Sequence, residues 1–268
     1  MAVKSIAITS GKGGVGKTSI VANLAYAIAE MGKQVMILDA DLGLGNVDVL
    51  MGLNVKWTLE HVLHGEKSVE EIVLEGPGGV KVIPAGSGVE ELTTLGPQER
   101  LTLMSQFQEL MKEVDVFFID TAPGISSNVI FFNLAASEVI VVVSPDPSSL
   151  VDAYALIKVM SLRHSKREFN LLLNNVSDAD EASRIFERFD SVASRFLGVT
   201  LHYLGHVLAD HNVPKAARGK RMLLEAFPYS KASVCINRIA RRVCELPVEL
   251  VRGELMENLL LGQIWREA

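Results

Sequence analysis

A glycine-rich stretch near the amino terminus holds the residues best suited to chemistry. It reads GKGGVGKTS from Gly11 to Ser19 and matches the phosphate-loop pattern GxxxxGK[ST], between an apolar run and a helical run. Glycines allow backbone N–H groups to turn toward phosphate oxygens, and the start of the helix adds partial positive charge. We expect Lys17 to bind the β- and γ-phosphates of a nucleotide and Thr18 to bind Mg²⁺. The predicted nucleotide-binding residues of the loop are Gly11, Gly13, Gly14, Val15, Gly16, Lys17, Thr18 and Ser19.

Two acidic segments follow apolar runs further along the chain. The first, ILDADLGLG, carries Asp39 and Asp41, and the second, VDVFFIDTAPG, carries Asp120. If both runs are parallel strands, their carboxyl ends meet at one edge of the sheet and these side chains can face the phosphates. Asp120 ends a hydrophobic strand in the Walker B arrangement, so we expect it to bind Mg²⁺ through water, because this ion keeps several waters. Asp39 has a second interpretation, since aspartate at a strand end is often only a helix cap.

Seven short apolar runs alternate with longer helical patterns. Nearly continuous apolarity is typical of strands buried on both faces, and the alternation predicts an α/β fold, a doubly wound, mainly parallel sheet with helices on both faces. Right-handed crossovers then place the strand carboxyl ends along one edge, where ligands bind. The predicted strands are 5–9, 35–40, 80–85, 114–120, 138–144, 169–175 and 202–208, and the predicted helices are about 17–31, 97–113, 147–163, 178–197, 230–246 and 252–266.

A proline and a glycine in LPVELVRGE (246–254) mark the one break in composition. We therefore expect a P-loop ATPase domain over 1–246 and a C-terminal amphipathic helical tail over 247–268. Apolar residues of ELMENLLLGQIWREA recur at three- and four-residue spacings, so the tail could lie in a membrane interface or pack on the domain. Its polar face carries more glutamates than arginines, which disfavours anionic lipid, and both interpretations stay open.

Composition limits the classes of partner and the location. With 49% hydrophobic and 22% charged residues, the chain is globular rather than disordered. A net charge of -6 opposes non-specific attraction to nucleic acid, so a nucleic-acid partner is not expected. No leader pattern precedes the first strand, and no apolar run approaches the roughly 18 residues that span a bilayer. Cys235 and Cys244 fit neither a metal pair nor a disulfide framework, so we expect a cytoplasmic protein with reduced thiols.

The glycine-rich loop resembles that of a known family. KGGVGKT, with the additional lysine Lys12, resembles the loop of the deviant Walker A P-loop ATPases, which include MinD, ParA, the nitrogenase iron protein and the arsenite ATPase. The resemblance implies a MinD-like P-loop NTPase fold and a homodimer that forms with ATP, in which Lys12 reaches the partner's nucleotide phosphates. It also implies catalytic roles for Lys12, Lys17 and Asp41. Asp41 would orient the attacking water, and Asp39 would support the Mg²⁺ shell or the loop. The segment TAPG resembles switch II, where Gly124 would let the backbone sense the γ-phosphate.

The choice of base rests on the end of the sixth predicted strand. Asn174, in FNLLLNN, aligns with the asparagine that contacts the base in that family. GTPases of related fold read guanine with NKxD, and the segment NVSD (175–178) has this spacing without the lysine, so ATP is favoured over GTP. Asp210 is a further candidate for the base pocket. The expected ligands are therefore ATP or ADP and Mg²⁺.

Four further segments narrow the resemblance. They are DLGLGNVDVLMGL (41–53), GPGGVKVIPAGSG (76–88), DPSSLVDAYALIKVM (146–160) and EAFPYSKAS (225–233). All are similar to segments of the MinD-like flagellar number regulators of the FlhG or FleN type, and the resemblance covers about residues 4–246. It implies a slow, partner-regulated ATPase that controls flagellar number or placement, with hydrolysis returning the dimer to monomers. The implied partners are a FlhF-type GTPase and a flagellar transcription activator, and the implied location extends to the inner face of the cell membrane at a pole.

Other functions of the same broad family stay open. A MinD-type ATPase that selects the cell-division site carries the same loop. A ParA-type DNA segregation ATPase would need a basic surface on its dimer, and the cluster of Arg238, Arg241 and Arg242 more often indicates solvated charge on a helix. A reductase like the nitrogenase iron protein would need cysteines near the switch segments, and Cys235 and Cys244 lie far from them in the sequence.

Overall fold

The computed structural model describes residues 3–43, 45–86 and 96–246. The predicted tail over 247–268, and with it the boundary between tail and body, lies outside the described residues. Within the described ranges, no helix combines the length and the apolarity needed to cross a bilayer.

Eight strands in the described part of the chain form a single sheet. They are β1 (Lys4–Thr9), β2 (Val35–Ala40), β3 (Leu74–Glu75), β4 (Lys81–Ile83), β5 (Val116–Thr121), β6 (Glu138–Val143), β7 (Glu168–Val176) and β8 (Thr200–Leu208). Their order across the sheet is β3-β4-β2-β5-β1-β6-β7-β8. Neighbouring strands are parallel throughout, apart from the antiparallel edge pair of β3 and β4. The predicted doubly wound, mainly parallel α/β fold is confirmed, and each of the seven predicted strands forms close to its predicted bounds.

Helices cover both faces of this sheet. Those in the described residues are α1 (Lys17–Ala29), α2 (Val47–Met51), α3 (Leu59–Leu63), α4 (Val69–Ile72), α5 (Pro97–Met111), α6 (Ser127–Ala135), α7 (Pro147–His164), α8 (Ala179–Leu197), α9 (Asn212–Arg218), α10 (Leu223–Ala226) and α11 (Lys231–Glu245). Buried residues of α1 and α11 form one core with Ile6 and Ile8 of β1. Buried residues of α5, α6, α7 and α8 form two cores on the other face. Both faces of the central strands are therefore buried, which is why β1, β2 and β5 lack polar alternation.

Two polar contacts fix the helices on the α1 face. The Asn23 side chain in α1 accepts the backbone N–H groups of Leu223 at 2.8 Å and Leu224 at 3.4 Å, which holds α10 against α1. The buried Lys4 ammonium in β1 donates to the backbone carbonyls of Val243 at 2.9 Å and Cys244 at 2.8 Å. A cation at the carboxyl end of α11 is favourable for the helix dipole, although burial lowers the pKa of Lys4.

Several elements were not predicted from the sequence. Helix α6 has the sequence SNVIFFNLA and is buried on nearly every side, so it shows no amphipathic period. The helices α2, α3, α4 and α10 have only four or five residues each and fall below the length that periodicity can reveal. Helix α4 has a capping box in which Ser68 and Glu71 bind each other's backbone. This spacing of serine and glutamate was the sequence pattern from which α4 could have been predicted. Both cysteines are free thiols, with Cys235 buried.

Candidate nucleotide site

The glycine-rich loop runs from the end of β1 into the start of α1. Gly14 and Gly16 have φ values of 78° and 91°, a left-handed conformation that glycine adopts without strain. Gly11 lies against the first half of α7, since a Cβ placed on it would be 2.0 Å from the backbone carbon of Asp152 and 2.4 Å from the nitrogen of Ala153. The loop is therefore closely packed against the backbone of a helix, and glycine is required at this point.

Asn174 holds the other side of the same loop. Its Nδ2 donates to the Val15 carbonyl at 2.8 Å, and a Cβ on Gly16 would lie 2.5 Å from this nitrogen. The structure thus places the predicted base-binding residue beside the phosphate loop and gives its amide a structural partner. Its contact with a base stays a prediction.

Asp120 lies at the end of β5, next to the first residues of α1. It is 1% exposed and Lys17 is 7% exposed. The Thr18 hydroxyl hydrogen-bonds to the Asp120 carboxylate, whereas Oδ1 of Asp120 has no hydrogen-bond partner. Burial raises the pKa of Asp120 to about 6, against the opposing effects of the Lys17 ammonium and the Thr18 hydroxyl.

Asp39 is the register partner of Asp120 on the adjacent strand β2. It is 2% exposed, and its two oxygens accept the backbone N–H groups of Asp41 at 3.2 Å and Val47 at 3.1 Å. Burial and repulsion from Asp120 raise the pKa of Asp39 to about 8, although the two amide hydrogen bonds lower it. Val47 is the first residue of α2, whose N-cap residue is Asn46, so Asp39 binds the start of this helix from outside it and the choice between its two interpretations stays a prediction. Asp41 lies next to it and is partly exposed.

The oxygen atoms at this edge fit a Mg²⁺ ion shared with a nucleotide. The unpartnered Oδ1 of Asp120 is a buried acceptor, and the Thr18 hydroxyl and the Asp39 carboxylate place further hard oxygen atoms at the same edge. Across the described residues, no group of three or more His, Cys, Asp and Glu side chains is arranged to hold a metal by itself.

Lys12 contacts a carboxylate of its own chain. Its Nζ lies 2.6 Å from Oδ2 of Asp146, the N-cap residue of α7, and also donates to the hydroxyl of Ser148. The hydrogen bonds from Lys12 and from the backbone and hydroxyl of Ser148 lower the pKa of Asp146 to about 2. Sequence reasoning missed Asp146 as a partner of the loop. The segment Asp-Pro-Ser indicates a helix cap, but no local pattern connects it with a lysine that lies 134 positions earlier in the chain.

Asp210 lies apart from the phosphate loop in its contacts. Its carboxylate accepts the backbone N–H groups of Asn212 at 2.9 Å and Ala232 at 3.1 Å, and it also bonds to the Ser230 side chain. It thereby joins the starts of α9 and α11. A role in base recognition stays a prediction, since these contacts already explain why an aspartate is present.

Comparisons with known proteins agree with this geometry. A family model described as an AAA domain matches residues 3–173. The antiactivator FleN of Pseudomonas aeruginosa is 44% identical over 246 residues, which cover 92% of this chain and 88% of that protein. The chain belongs to the MinD/ParA-type P-loop ATPases. The flagellum site-determining protein YlxH of Helicobacter pylori is 37% identical over 238 residues, covering 88% of this ATPase and 80% of its relative.

A solved structure gives this ATPase a three-dimensional counterpart. The septum site-determining protein MinD of Pyrococcus horikoshii, complexed with Mg-ADP, superposes with a TM-score of 0.72 at 25% identity, covering 90% of this chain and 96% of that one. The predicted MinD-like fold and the predicted ATPase activity are thus confirmed at the level of the family. The roles of individual site residues stay predictions.

The loop after β5 also contacts the phosphate loop in this ATPase. Gly124, predicted to lie in switch II, has a φ of 95°, and its N–H donates to the Ser10 carbonyl at 2.9 Å. The Thr121 hydroxyl donates to the Ile8 carbonyl at 3.2 Å. The segment around Gly124 and the start of the phosphate loop are therefore directly hydrogen-bonded.

Proposed function

We propose that this ATPase controls flagellar number or placement as a nucleotide-switched dimer. The observation that carries the proposal is the 44% identity to the antiactivator FleN over 92% of the chain. The similarity to YlxH, whose name describes a flagellum site-determining protein, supports the same biological setting. In this proposal, ATP brings two copies together and hydrolysis returns them to monomers.

ATP or ADP with Mg²⁺ is the proposed ligand. The glycine-rich loop and Lys17 would bind the phosphates, while Thr18, Asp120 and Asp39 would face the ion, either directly or through water. Bound Mg²⁺ would neutralise negative charge that develops on the transferred phosphoryl group. The Mg-ADP in the solved Pyrococcus horikoshii MinD supports this ligand for a protein of the same fold.

Hydrolysis in this proposal depends on positioning and charge. Lys17 is held next to Asp120 at the loop and would stabilise the developing charge, as would Lys12 from the partner subunit. Asp41 would orient the attacking water from the partly exposed rim of the site. Turnover is expected to be slow and set by a protein partner, because the site offers positioning without a strong general base.

The position of Lys12 supplies a physical basis for the switch. In the single chain, its ammonium is neutralised by Asp146. An exposed ion pair of this kind is weak, so a partner's nucleotide phosphates can compete for the lysine. The lysine would then leave its own chain only when a second, ATP-loaded subunit is present.

Asn174 and Asp210 are proposed to contact the base. Asn174 is the stronger candidate, because it already lies beside Val15 and Gly16 of the phosphate loop. Its hydrogen bond to the loop leaves its carbonyl oxygen available to a base.

The proposed partners are a FlhF-type GTPase and a flagellar transcription activator. The word antiactivator in the name of FleN supports the second of these. Peripheral attachment to the inner face of the cell membrane at a pole is also proposed, through the tail over 247–268, which lies outside the described residues. Nucleic acid is not a proposed partner, because the chain carries a net charge of -6.

Deletion of the gene tests the biological role. We expect the number or position of flagella per cell, counted by electron microscopy, to change, and a chromosomal Lys17→Ala copy to reproduce the defect. Unchanged flagella would refute the proposal. Misplaced division septa would instead indicate a MinD-type role, and ATP-dependent, salt-sensitive binding of random duplex DNA by the purified protein would indicate a ParA-type role.

A further inference from the structure

A buried amide lies beneath the phosphate loop and has no part in the site described above. Asn133, in α6, is completely buried and follows Phe131 and Phe132, which pack in the hydrophobic core. Its Nδ2 donates to the Val129 carbonyl at 2.8 Å and to the Thr9 hydroxyl oxygen at 3.2 Å, while its Oδ1 has no hydrogen-bond partner. A buried acceptor without a partner destabilises the fold, so packing alone does not explain an asparagine here.

The neighbouring atoms fix which way this amide points. Rotating the amide by 180° would place Oδ1 about where Nδ2 now lies, facing the Val129 carbonyl with two acceptors in contact. The Nδ2 group therefore remains directed at Val129 and Thr9. The Thr9 hydroxyl oxygen is therefore the acceptor in this contact.

Thr9 is a sensitive position, because it is the last residue of β1 and only Ser10 separates it from the phosphate loop. The next residue, Ser10, accepts the N–H of Gly124 at 2.9 Å through its carbonyl and donates its hydroxyl to the Lys12 carbonyl at 2.7 Å. The strand-to-loop junction is therefore held from one side by α6 and from the other by the segment around Gly124. Both contacts come from the stretch of chain that follows Asp120.

We propose that Asn133 is a positioning residue for ATP hydrolysis. Acting through Thr9, it sets the start of the phosphate loop relative to α6, so that the Lys12 backbone and the segment around Gly124 keep one mutual arrangement during the reaction. The side chain does not touch the nucleotide in this account. The inference rests on the ATPase activity of the family and is independent of the flagellar role.

A second polar joint on the same strand provides a matched control. At the opposite end of β1, Ser137 donates its N–H to the Ser5 hydroxyl oxygen at 3.0 Å and its own hydroxyl to the Ser5 carbonyl at 2.7 Å. These hydrogen bonds also link β1 to the segment after α6. They lie at the amino end of β1, away from the phosphate loop, and both hydroxyl groups have hydrogen-bond partners.

The experiment compares three single variants with wild type in phosphate-release assays and in urea unfolding. We expect Asn133→Leu and Thr9→Val to lower kcat about tenfold while KM for ATP changes by less than about twofold, since misplaced groups affect the transition state more than ground-state binding. Asn133→Leu should lose less stability than Ser137→Ala, because removal of the unpartnered acceptor offsets the loss of the hydrogen bond to Thr9. Ser137→Ala should unfold at lower urea and keep the wild-type kcat.

A double variant tests whether Asn133 and Thr9 affect kcat through the same hydrogen bond or independently. Asn133→Leu combined with Thr9→Val should show the kcat of either single variant, because both interrupt the same hydrogen bond. Wild-type kcat in both single variants would overturn the proposal. So would a loss of kcat that follows the loss of stability equally in all variants, Ser137→Ala included. Unchanged flagella after gene deletion would leave these results unaffected.

Discussion

At the scale of single residues, the site contains two buried carboxylates whose negative charges are poorly stabilised by the rest of the chain. Asp39 and Asp120 are register partners on neighbouring strands and are both buried. Their pKa values are raised, to about 8 and about 6, mainly by burial. Without a cation between them the pair therefore favours a proton near neutral pH. The Lys17 ammonium already lowers the pKa of Asp120, and a divalent ion bound between the two carboxylates would replace the proton.

This pair predicts how stability depends on pH in protein freed of nucleotide and divalent ions. Because both folded pKa values exceed the ordinary aspartate value of about 3.9, the stabilising contribution of the protonated pair is complete below pH 4 and is lost as pH rises through 6 to 8. Between pH 5 and 9, the free energy of unfolding of wild type should fall relative to that of Asp39→Asn by on the order of 1 kcal/mol or more. Urea unfolding at several pH values measures this difference, and parallel curves for the two proteins would contradict it.

The Lys12 contact makes a second prediction at the same scale. Asp146→Asn removes the charge that holds Lys12 in its own chain, so dimerisation should require less of a non-hydrolysable ATP analogue, by about threefold to tenfold. Lys12→Ala should stay monomeric at saturating analogue. Size-exclusion chromatography with light scattering across an analogue titration measures both effects.

The control for these variants is another exposed lysine with an intrachain carboxylate. Lys33 lies 3.7 Å from Asp115, near the start of β2, and Lys33→Ala should dimerise like wild type. If Lys12→Ala also dimerised like wild type, the lysine would have no part in assembly. An unchanged titration midpoint for Asp146→Asn would mean that the intrachain pair does not oppose assembly.

At the scale of secondary-structure elements, the sequence predicted those features that depend on a single strand, loop or helix. The strands β1, β2 and β5 were predictable because burial on both faces leaves a continuous apolar run. The phosphate loop and Asp120 were predictable because their order along the chain follows from strand, loop and helix geometry. The hydrogen bonds from Asn174 to Val15 and from Lys12 to Asp146 were not predictable. Each joins residues more than a hundred positions apart and depends on how helices and strands pack in three dimensions.

The packing of the loop against α7 predicts a large effect from a small substitution. Gly11→Ala would place a Cβ at 2.0 Å from the backbone carbon of Asp152, so the loop and the helix must separate. We expect a loss of about 3 kcal/mol in the free energy of unfolding, at the upper end for overpacking. Gly13→Ala is the matched control, since its Cβ would be no closer than 3.7 Å to Pro123, and it should lose less than about 1 kcal/mol. Similar losses in urea unfolding for both variants would contradict the close packing described for Gly11.

At the scale of the whole molecule, one sheet edge collects nearly every feature that a nucleotide switch needs. The carboxyl ends of β1, β2 and β5 bring the loop, Asp39 and Asp120 together, and the N-terminus of α7 holds Lys12 close by. A chain with a net charge of -6 gains no general attraction between copies, so assembly must come from local contacts. In the proposed switch, phosphate charge bound at this edge would supply such contacts and would make the oligomeric state depend on the nucleotide.

The assembly cycle gives the last prediction, because it separates ATP binding from hydrolysis. Asp41→Ala should still bind ATP and dimerise but should fail to orient the attacking water, so the dimer persists. In size-exclusion chromatography after an hour with ATP and Mg²⁺, we expect wild type to return to monomer as ATP is consumed and Asp41→Ala to remain dimeric, with phosphate release reduced at least about a hundredfold. Asp48→Ala, which alters a nearby acidic residue in α2, is the control and should behave like wild type. An Asp41→Ala protein that hydrolyses ATP and returns to monomer would show that another residue positions the water.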